Sequence, residues 1–451
     1  MEYYNHILSQ NMKTGKNKRK LNDVYIDLVK QAKKDYGEKT TVLLQVGQFY
    51  ELYANDLYYY DELKKIGEIL NFVIGFKQDY YMVGFPIHSQ DKNIDQLLNH
   101  DYTLVIVDQE SNIKNTKRIV KCVINNSTNI QSNNKNNYII NIFFDVYKNN
   151  YTVGLSSIDI STNKLYVYEF GDKDKKILLD EVYHFIKSFD VNEIIIYNNI
   201  LHTENEIINR LEIVNIKTKF EETNNEYINI YNQEHFLNKL FVNKSQLHIF
   251  QYLGIDRNNI MRNSLVCLLN YLEKFNISLI KNCNIPEIWN NHKFLNIVND
   301  GFYQLDIISK NKSLIDIVNY TSTNLGYRFL KNSILIPICD ETILNKRYNS
   351  IEILINNNKY IEYENYLKDI NDIEKLHRKI TLNKILPSEI FNIYISYKNI
   401  IELYKLSLRD NLKLNLNDNH IKQINNIVDK LKTIFDIELL SSTTSLYNIH
   451  N

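Results

Sequence analysis

Between Asn125 and Asn137 the chain reads NNSTNIQSNNKNN, with seven asparagines and Ile130 as its one clearly apolar residue. A stretch with so little to bury cannot contribute to a hydrophobic core, so the sequence on either side must find cores of its own. It reads as a linker. The length allows such a division, because 451 residues at roughly 100–200 per domain imply about two to four domains. A charged fraction of 24% and a hydrophobic fraction of 44% are ordinary for a chain that folds. The 34 Tyr and 19 Phe, set against 11 Gly and 4 Pro in an Asn-, Ile- and Lys-rich background, fit a bias toward AT-rich codons.

Hydrophobic periodicity differs on the two sides of the linker. Before it, Leu21–Lys34 predicts a helix closed by Gly37, followed by a compact α/β unit. Its strands are expected at Thr41–Val46, Tyr80–Val83 and Tyr102–Val107, with helices at Leu57–Leu70 and Lys92–Leu98. After it, Tyr138–Tyr147, Tyr151–Ile160 and Lys164–Phe170 are β-rich runs joined by short turns, the pattern of an antiparallel meander. A helix at Leu178–Phe189, a buried strand at Glu193–Tyr197 and a helix at Thr203–Leu211 then continue a mixed α/β region to about residue 240; the polar Glu221–Glu226 reads as a loop inside it. From about Lys244 the strand signals nearly vanish and helical spacing takes over, as at Ile373, Leu376 and Ile380, with Pro387 opening a helix over Ser388–Leu406. The expected domains are 1–130, 131–243 and 244–451: multidomain α/β followed by an all-α body.

Charge and chemistry exclude more than they suggest. The formal net charge is zero, so a polyanion would have to be met by local basic clusters. Cys122, Cys267, Cys283 and Cys339 lack the close spacing of a zinc site and are too few for a disulfide framework. No apolar run reaches the roughly 18 residues that span a bilayer, and MEYYNHILSQNMKTGKNKRK has no signal-peptide pattern, so no membrane partner is expected. No GxxxxGK[ST], HExxH, GxSxG or GxGxxG motif occurs, and no metal-ligating cluster stands out. Asp145 and Asp159 are a conceivable Mg²⁺-holding carboxylate pair, but aspartates in a β-meander are ordinarily turn or edge residues. No catalytic residue is expected.

The informative stretch is Gly47-Gln48-Phe49-Tyr50-Glu51-Leu52, where a strand ends at glycine and presents an aromatic ring, then a carboxylate two residues on. By itself such a signal is weak, since a phenylalanine after a strand is usually core. Met82-Val83-Gly84-Phe85-Pro86-Ile87-His88 and Val107-Asp108-Gln109-Glu110 follow it. In the helical region come Ser313-Leu314-Ile315, Thr321 to Leu330 (TSTNLGYRFL), Pro337-Ile338-Cys339-Asp340, Asp372-Ile373-Glu374-Lys375-Leu376 and Pro387-Ser388-Glu389-Ile390. In that order these segments resemble the MutS proteins of DNA mismatch repair over about residues 21–405. There a Gly-Asp-Phe-Tyr-Glu-Leu-type motif carries the mismatch wedge.

The resemblance implies a mismatch-binding domain, an RNase H-like connector without nuclease chemistry, and the first part of a helical core and lever region. It implies Phe49 as a wedge and Glu51 as the reader of a displaced base, with Tyr50 and Gln48 beside them. Gly47, Gly84 and Pro86 would shape the supporting loops, and His88 would be structural. Gln48 stands where the family usually has Asp, which removes a charge next to the wedge. Residues 11–40 hold nine Lys/Arg against four Asp/Glu. Lys13, Lys16, Lys18, Arg19 and Lys20 are therefore either phosphate contacts or a solvated tail. Gly326, Arg328 and Lys331 are expected in helix packing. The implied partners are duplex DNA with mismatches or small loops, a MutS-type dimer and a MutL-like downstream protein, in an intracellular, soluble setting. ATP and Mg²⁺ are implied only for the family's ATPase domain, whose Walker A motif does not occur in these 451 residues. The alternative is a truncated MutS-like scaffold that binds protein partners or branched DNA without mismatch specificity.

Overall fold

The computed structural model of the chain describes residues 2–9, 20–77, 79–110, 117–129, 136–147, 149–199, 204–243, 245–290, 295, 301–307 and 312–442. They form two compact units, residues 1–132 with 266–281, and residues 133–265 with 282–451.

In the N-terminal unit the elements are α1 (Glu2–Ser9), α2 (Leu21–Tyr36), β1 (Thr40–Val46), β2 (Phe49–Ala54), α3 (Tyr60–Leu70), β3 (Gly75–Lys77), β4 (Tyr80–Pro86), α4 (Gln90–Asn99), β5 (Thr103–Gln109) and β6 (Arg118–Ile124). The strands make one six-stranded sheet in the order β3-β4-β2-β1-β5-β6, antiparallel except for the β1–β5 pair. Helix α2 buries Val24, Tyr25, Leu28, Val29 and Ala32, and its end is closed by Gly37 at φ 99°. That positive φ is a conformation glycine takes at little cost. Strands β2, β3 and β6 go beyond the sequence expectation. FYELYA carries aromatic residues on both faces and lies next to a helical pattern, so β2 merges with it in a reading by periodicity, and α3 starts at Tyr60 rather than Leu57.

In the larger unit β7 (Tyr138–Tyr147), β8 (Asn150–Asp159) and β9 (Leu165–Asp172) form the expected meander. They are followed by α5 (Lys175–Lys187), β10 (Val191–Asn198), α6 (Glu204–Arg210) and β11 (Lys217–Glu221). The sheet order is β11-β10-β7-β8-β9, with β10 parallel to both β7 and β11 and a two-residue strand, Glu287–Ile288, added beside β9. Three antiparallel strands followed by two parallel ones on the far side of the first make an RNase H-like sheet. Its core brings Ile140, Ile142 and Phe144 against Leu178, Val182 and Phe185 of α5. On β8, Gly154 lets Ile260 and Met261, at the start of a helix, come directly against the sheet, because an added Cβ would stand 2.1 Å from the Ile260 carbonyl oxygen. The rest of this unit is helical, including Asn324–Leu335, Ile373–Thr381, Pro387–Arg409 and Asp418–Ile434.

Part of the Asn-rich stretch departs from the linker expectation. Asn125, Ser127 and Thr128 are buried. The Asn125 side chain accepts from the Thr128 N–H at 2.8 Å, and the Thr128 hydroxyl accepts from the Asn125 N–H at 2.9 Å. Short polar side chains that satisfy the local backbone remove the main cost of burying it. Residues 130–135 lie outside the described residues.

Candidate nucleic-acid interface

The candidate site is built on the β1–β2 hairpin. Val46 pairs with Phe49, so the connection is the two residues Gly47 and Gln48. Gly47 has φ 62° and Gln48 is not among the positive-φ residues, the arrangement of a type II′ turn, which needs glycine at its first central position. Where a strand end was expected, the chain turns back on itself. The tip is buttressed from the neighbouring strands. Gln109 Oε1 accepts from the Gly47 N–H at 3.0 Å, Gln45 Oε1 accepts from the Gln109 N–H at 2.8 Å, and the Gln48 carbonyl accepts from the Ile87 N–H at 3.0 Å.

Pleating then sorts the motif. Residues two apart share a face, so Phe49, Glu51 and Tyr53 lie on one side of β2 and Tyr50, Leu52 and Ala54 on the other. Phe49 is 48% exposed, while Tyr50 is 2% exposed. Leaving the phenylalanine so open forgoes about half of the roughly 1.5–3 kcal/mol that full burial of such a side chain contributes. Tyr50, expected beside the wedge, lies on the opposite face of β2, and its hydroxyl donates to Asp108 Oδ1 at 2.6 Å. Asp108 in turn pairs with Lys121 at 2.7 Å.

Glu51 sits opposite Gly84 on β4, and Phe49 sits opposite Pro86. A Cβ at Gly84 would lie 3.3 Å from Glu51 Cγ and 3.1 Å from the Tyr50 carbonyl oxygen, so the glycine leaves room for the carboxylate. Glu51 Oε2 accepts from the Tyr53 hydroxyl. Burial, and then the adjacent carboxylate, push the Tyr53 phenol well above its ordinary pKa, so it remains a donor. Arg118 donates to the Gln45 carbonyl at 3.2 Å. Burial lowers its pKa, and the nearby Tyr53 and Glu51 act in the opposite sense.

Other expected residues fall elsewhere. Gln48 and His88 are exposed, and His88 lies in a short turn, Ile87–Ser89, just after Pro86. Lys20 is exposed at the start of α2; Lys13, Lys16, Lys18 and Arg19 lie outside the described residues. In the larger unit Gly326 donates its N–H to Thr323 Oγ1 at 2.9 Å. Arg328 is 6% exposed and its Nη2 donates to Asp372 Oδ1 at 2.9 Å and to Glu374 Oε2 at 2.8 Å. Lys331 pairs with Asp190. Asp145 and Asp159 are not a pair. The β7–β8 register sets Asp159 against Tyr138 and Asp145 against Thr152, seven residues along β7 and so about 23 Å apart at strand rise. Asp159 is a turn residue, accepting from Ser161 Oγ at 2.7 Å and Thr162 Oγ1 at 2.8 Å. Among the described residues no group of three His, Cys, Asp or Glu side chains is placed to hold a metal ion, and no helix is long and apolar enough to cross a membrane.

Sequence reading missed Tyr53, Gln45 and Arg118. Tyr53 carries a usable signal, since it follows Glu51 by two residues once β2 is known to be a strand. Arg118 reaches the site from a distant strand and has no local signal.

A hairpin presenting an aromatic ring and a carboxylate, on a mixed sheet followed by an RNase H-like unit with helices, defines a class of multidomain α/β protein with a helical region. Family models place it further: MutS domain I matches residues 25–133, MutS domain II residues 137–286 and MutS domain III residues 290–450. The chain belongs to the MutS family. It is similar to a DNA mismatch repair protein mutS homolog of Acanthamoeba polyphaga mimivirus, 29% identical over 84% of this chain and 38% of that protein. The DNA mismatch repair protein MutS of Caldanaerobacter subterraneus subsp. tengcongensis is 23% identical, over 88% of this chain and 44% of that protein. The mitochondrial DNA mismatch repair protein mutS homolog of Sarcophyton glaucum is 24% identical, over 92% and 49%. The chain thus spans less than half the length of these relatives.

Proposed function

We propose that this chain is the mismatch-reading part of a MutS-type repair protein, with Phe49 as the wedge and Glu51 as the group that meets a displaced base. The observation that carries this reading is the half-exposed Phe49 at a braced hairpin tip, with Glu51 on the same face.

A mismatched pair stacks and pairs poorly, so kinking the duplex there costs less than the few kcal/mol a sound step demands. A ring entering from the minor groove senses that weakness rather than a sequence, since stacking on an aromatic side chain is worth roughly 1–3 kcal/mol whatever the base. Glu51 works against the negative potential of DNA and binds favourably only where a base edge donates to it. It therefore contributes discrimination, and affinity must come from cations such as Lys20 and the basic residues before it. Any ATP-driven step would depend on the family's ATPase domain, and a MutS-type dimer and a MutL-like downstream protein are the partners this reading implies.

Binding of the 451-residue chain to a G·T duplex, a duplex with one unpaired base and a homoduplex tests the reading. Phe49→Ala should abolish the preference for the two defective duplexes, while an undiminished preference rules out the wedge. Absence of duplex binding even at low salt, where phosphate contacts are strongest, would favour the scaffold alternative.

A further inference from the structure

We propose that Tyr53 is a positioning residue for Glu51, its phenol O–H holding carboxylate oxygen Oε2 so that Oε1 is presented to the base edge. This rests on the mismatch reading above and concerns how the discriminating carboxylate is aimed.

The geometry separates this bond from a chance surface contact. Tyr53 is 8% exposed, and its ring meets Tyr25 edge-on at 5.4 Å and 75°. Tyr25 is itself fixed, 2% exposed with its hydroxyl donating to the Val42 carbonyl at 3.0 Å. The Tyr53 hydroxyl is therefore held by packing on an element with little freedom to move. No described group donates to Glu51 Oε1, and Gly84 keeps space beside the Glu51 side chain. A carboxylate with one oxygen tied and one open has already lost rotational freedom, so less is lost when a base edge donates to it. The phenol also partly satisfies the carboxylate as the duplex strips water from it. Arg118, whose side chain donates to the Gln45 carbonyl at 3.2 Å, lies on the neighbouring part of the sheet.

Tyr53→Phe removes one oxygen and keeps the ring and its packing, so folding is preserved. Four proteins are compared by fluorescence anisotropy on G·T duplex and homoduplex: unaltered, Tyr53→Phe, Glu51→Ala and the double variant. Tyr53→Phe should lower the G·T preference about tenfold, the lower end for a hydrogen bond to a charged group, and leave homoduplex affinity unchanged. In the Glu51→Ala background it should lower the preference no further. Retained preference in Tyr53→Phe alongside its loss in Glu51→Ala would overturn this inference and leave the mismatch reading standing. An equal drop from Tyr53→Phe in the Glu51→Ala background would overturn it too, because the hydroxyl would then act without Glu51. Equal binding of both duplexes by the unaltered chain would overturn the mismatch reading and this inference together.

Discussion

In the sheet of the N-terminal unit Phe49 stands 48% exposed beside a half-buried Glu51, whereas in the sheet of the larger unit Ser156 and Asp159 are fully buried. These two side chains serve the fold itself. Ser156 bonds Ser264 at 2.9 Å, and Asp159 is used up by its own turn. Those of the first sheet brace a tip that points outward, through Gln45, Gln109 and Tyr53. The presence of carboxylates on a sheet therefore says little about chemistry; what distinguishes the two is whether the acceptors are already filled from within.

The largest expected effect lies in the larger unit. Arg328→Ala should cost about 3–5 kcal/mol in denaturant unfolding, because it strands the largely buried Asp372 carboxylate, while Glu374 keeps Lys164 at 2.7 Å. The mismatch preference of the folded protein should be unchanged; a lost preference would break the contrast between the units. Acid should probe the same pair. Burial raises the Asp372 pKa, but the Arg328 hydrogen bond and charge outweigh it and hold the group below the usual carboxylate range. That contribution is present above about pH 4 and lost as the pH falls further, so Asp372→Asn should flatten this part of the acid limb of a stability profile.

Gly154→Ala should destabilise by about 3 kcal/mol, since its Cβ would meet backbone that has little room to move. Thermal unfolding with DNA binding as a second readout checks that only stability changes. Gly84→Ala should cost about 1 kcal/mol, because its Cβ would press on the Tyr50 carbonyl oxygen at 3.1 Å and on Glu51 Cγ at 3.3 Å, and it should reduce the G·T preference by displacing that carboxylate. Tyr50→Phe should cost about 1.5 kcal/mol from losing the bond to the Asp108 carboxylate, with no expected effect on recognition and duplex preference intact. A changed preference there would mean that the hidden face of β2 also bears on recognition.

The meander at 138–170 and the helix after Pro387 were legible because alternation and helical spacing persist over many residues. The candidate site was legible only as a cluster of residue types around Gly47. Its division into Phe49 and Glu51 outside and Tyr50 inside depends on β2, and β2 is concealed by a composition apolar on both faces. The bracing by Gln45, Gln109 and Arg118 joins positions more than 60 residues apart in sequence, through a parallel β1–β5 pair that no local pattern announces. Burial of Asn125 and Thr128 was misjudged for another reason: composition records polarity but not the reciprocal bonding by which the two side chains satisfy each other's backbone N–H.

The strand that follows the two-residue turn also fixes a spacing. In an extended strand, alternate residues are spaced by about 7 Å, close to twice the 3.4 Å separating successive nucleotides along one strand. Ring and carboxylate are therefore graduated in units of the polymer they would meet. A single amino acid inserted between them would change the interval and rotate Glu51 into the hydrocarbon interior, so this short segment should tolerate substitution far better than any change in its length.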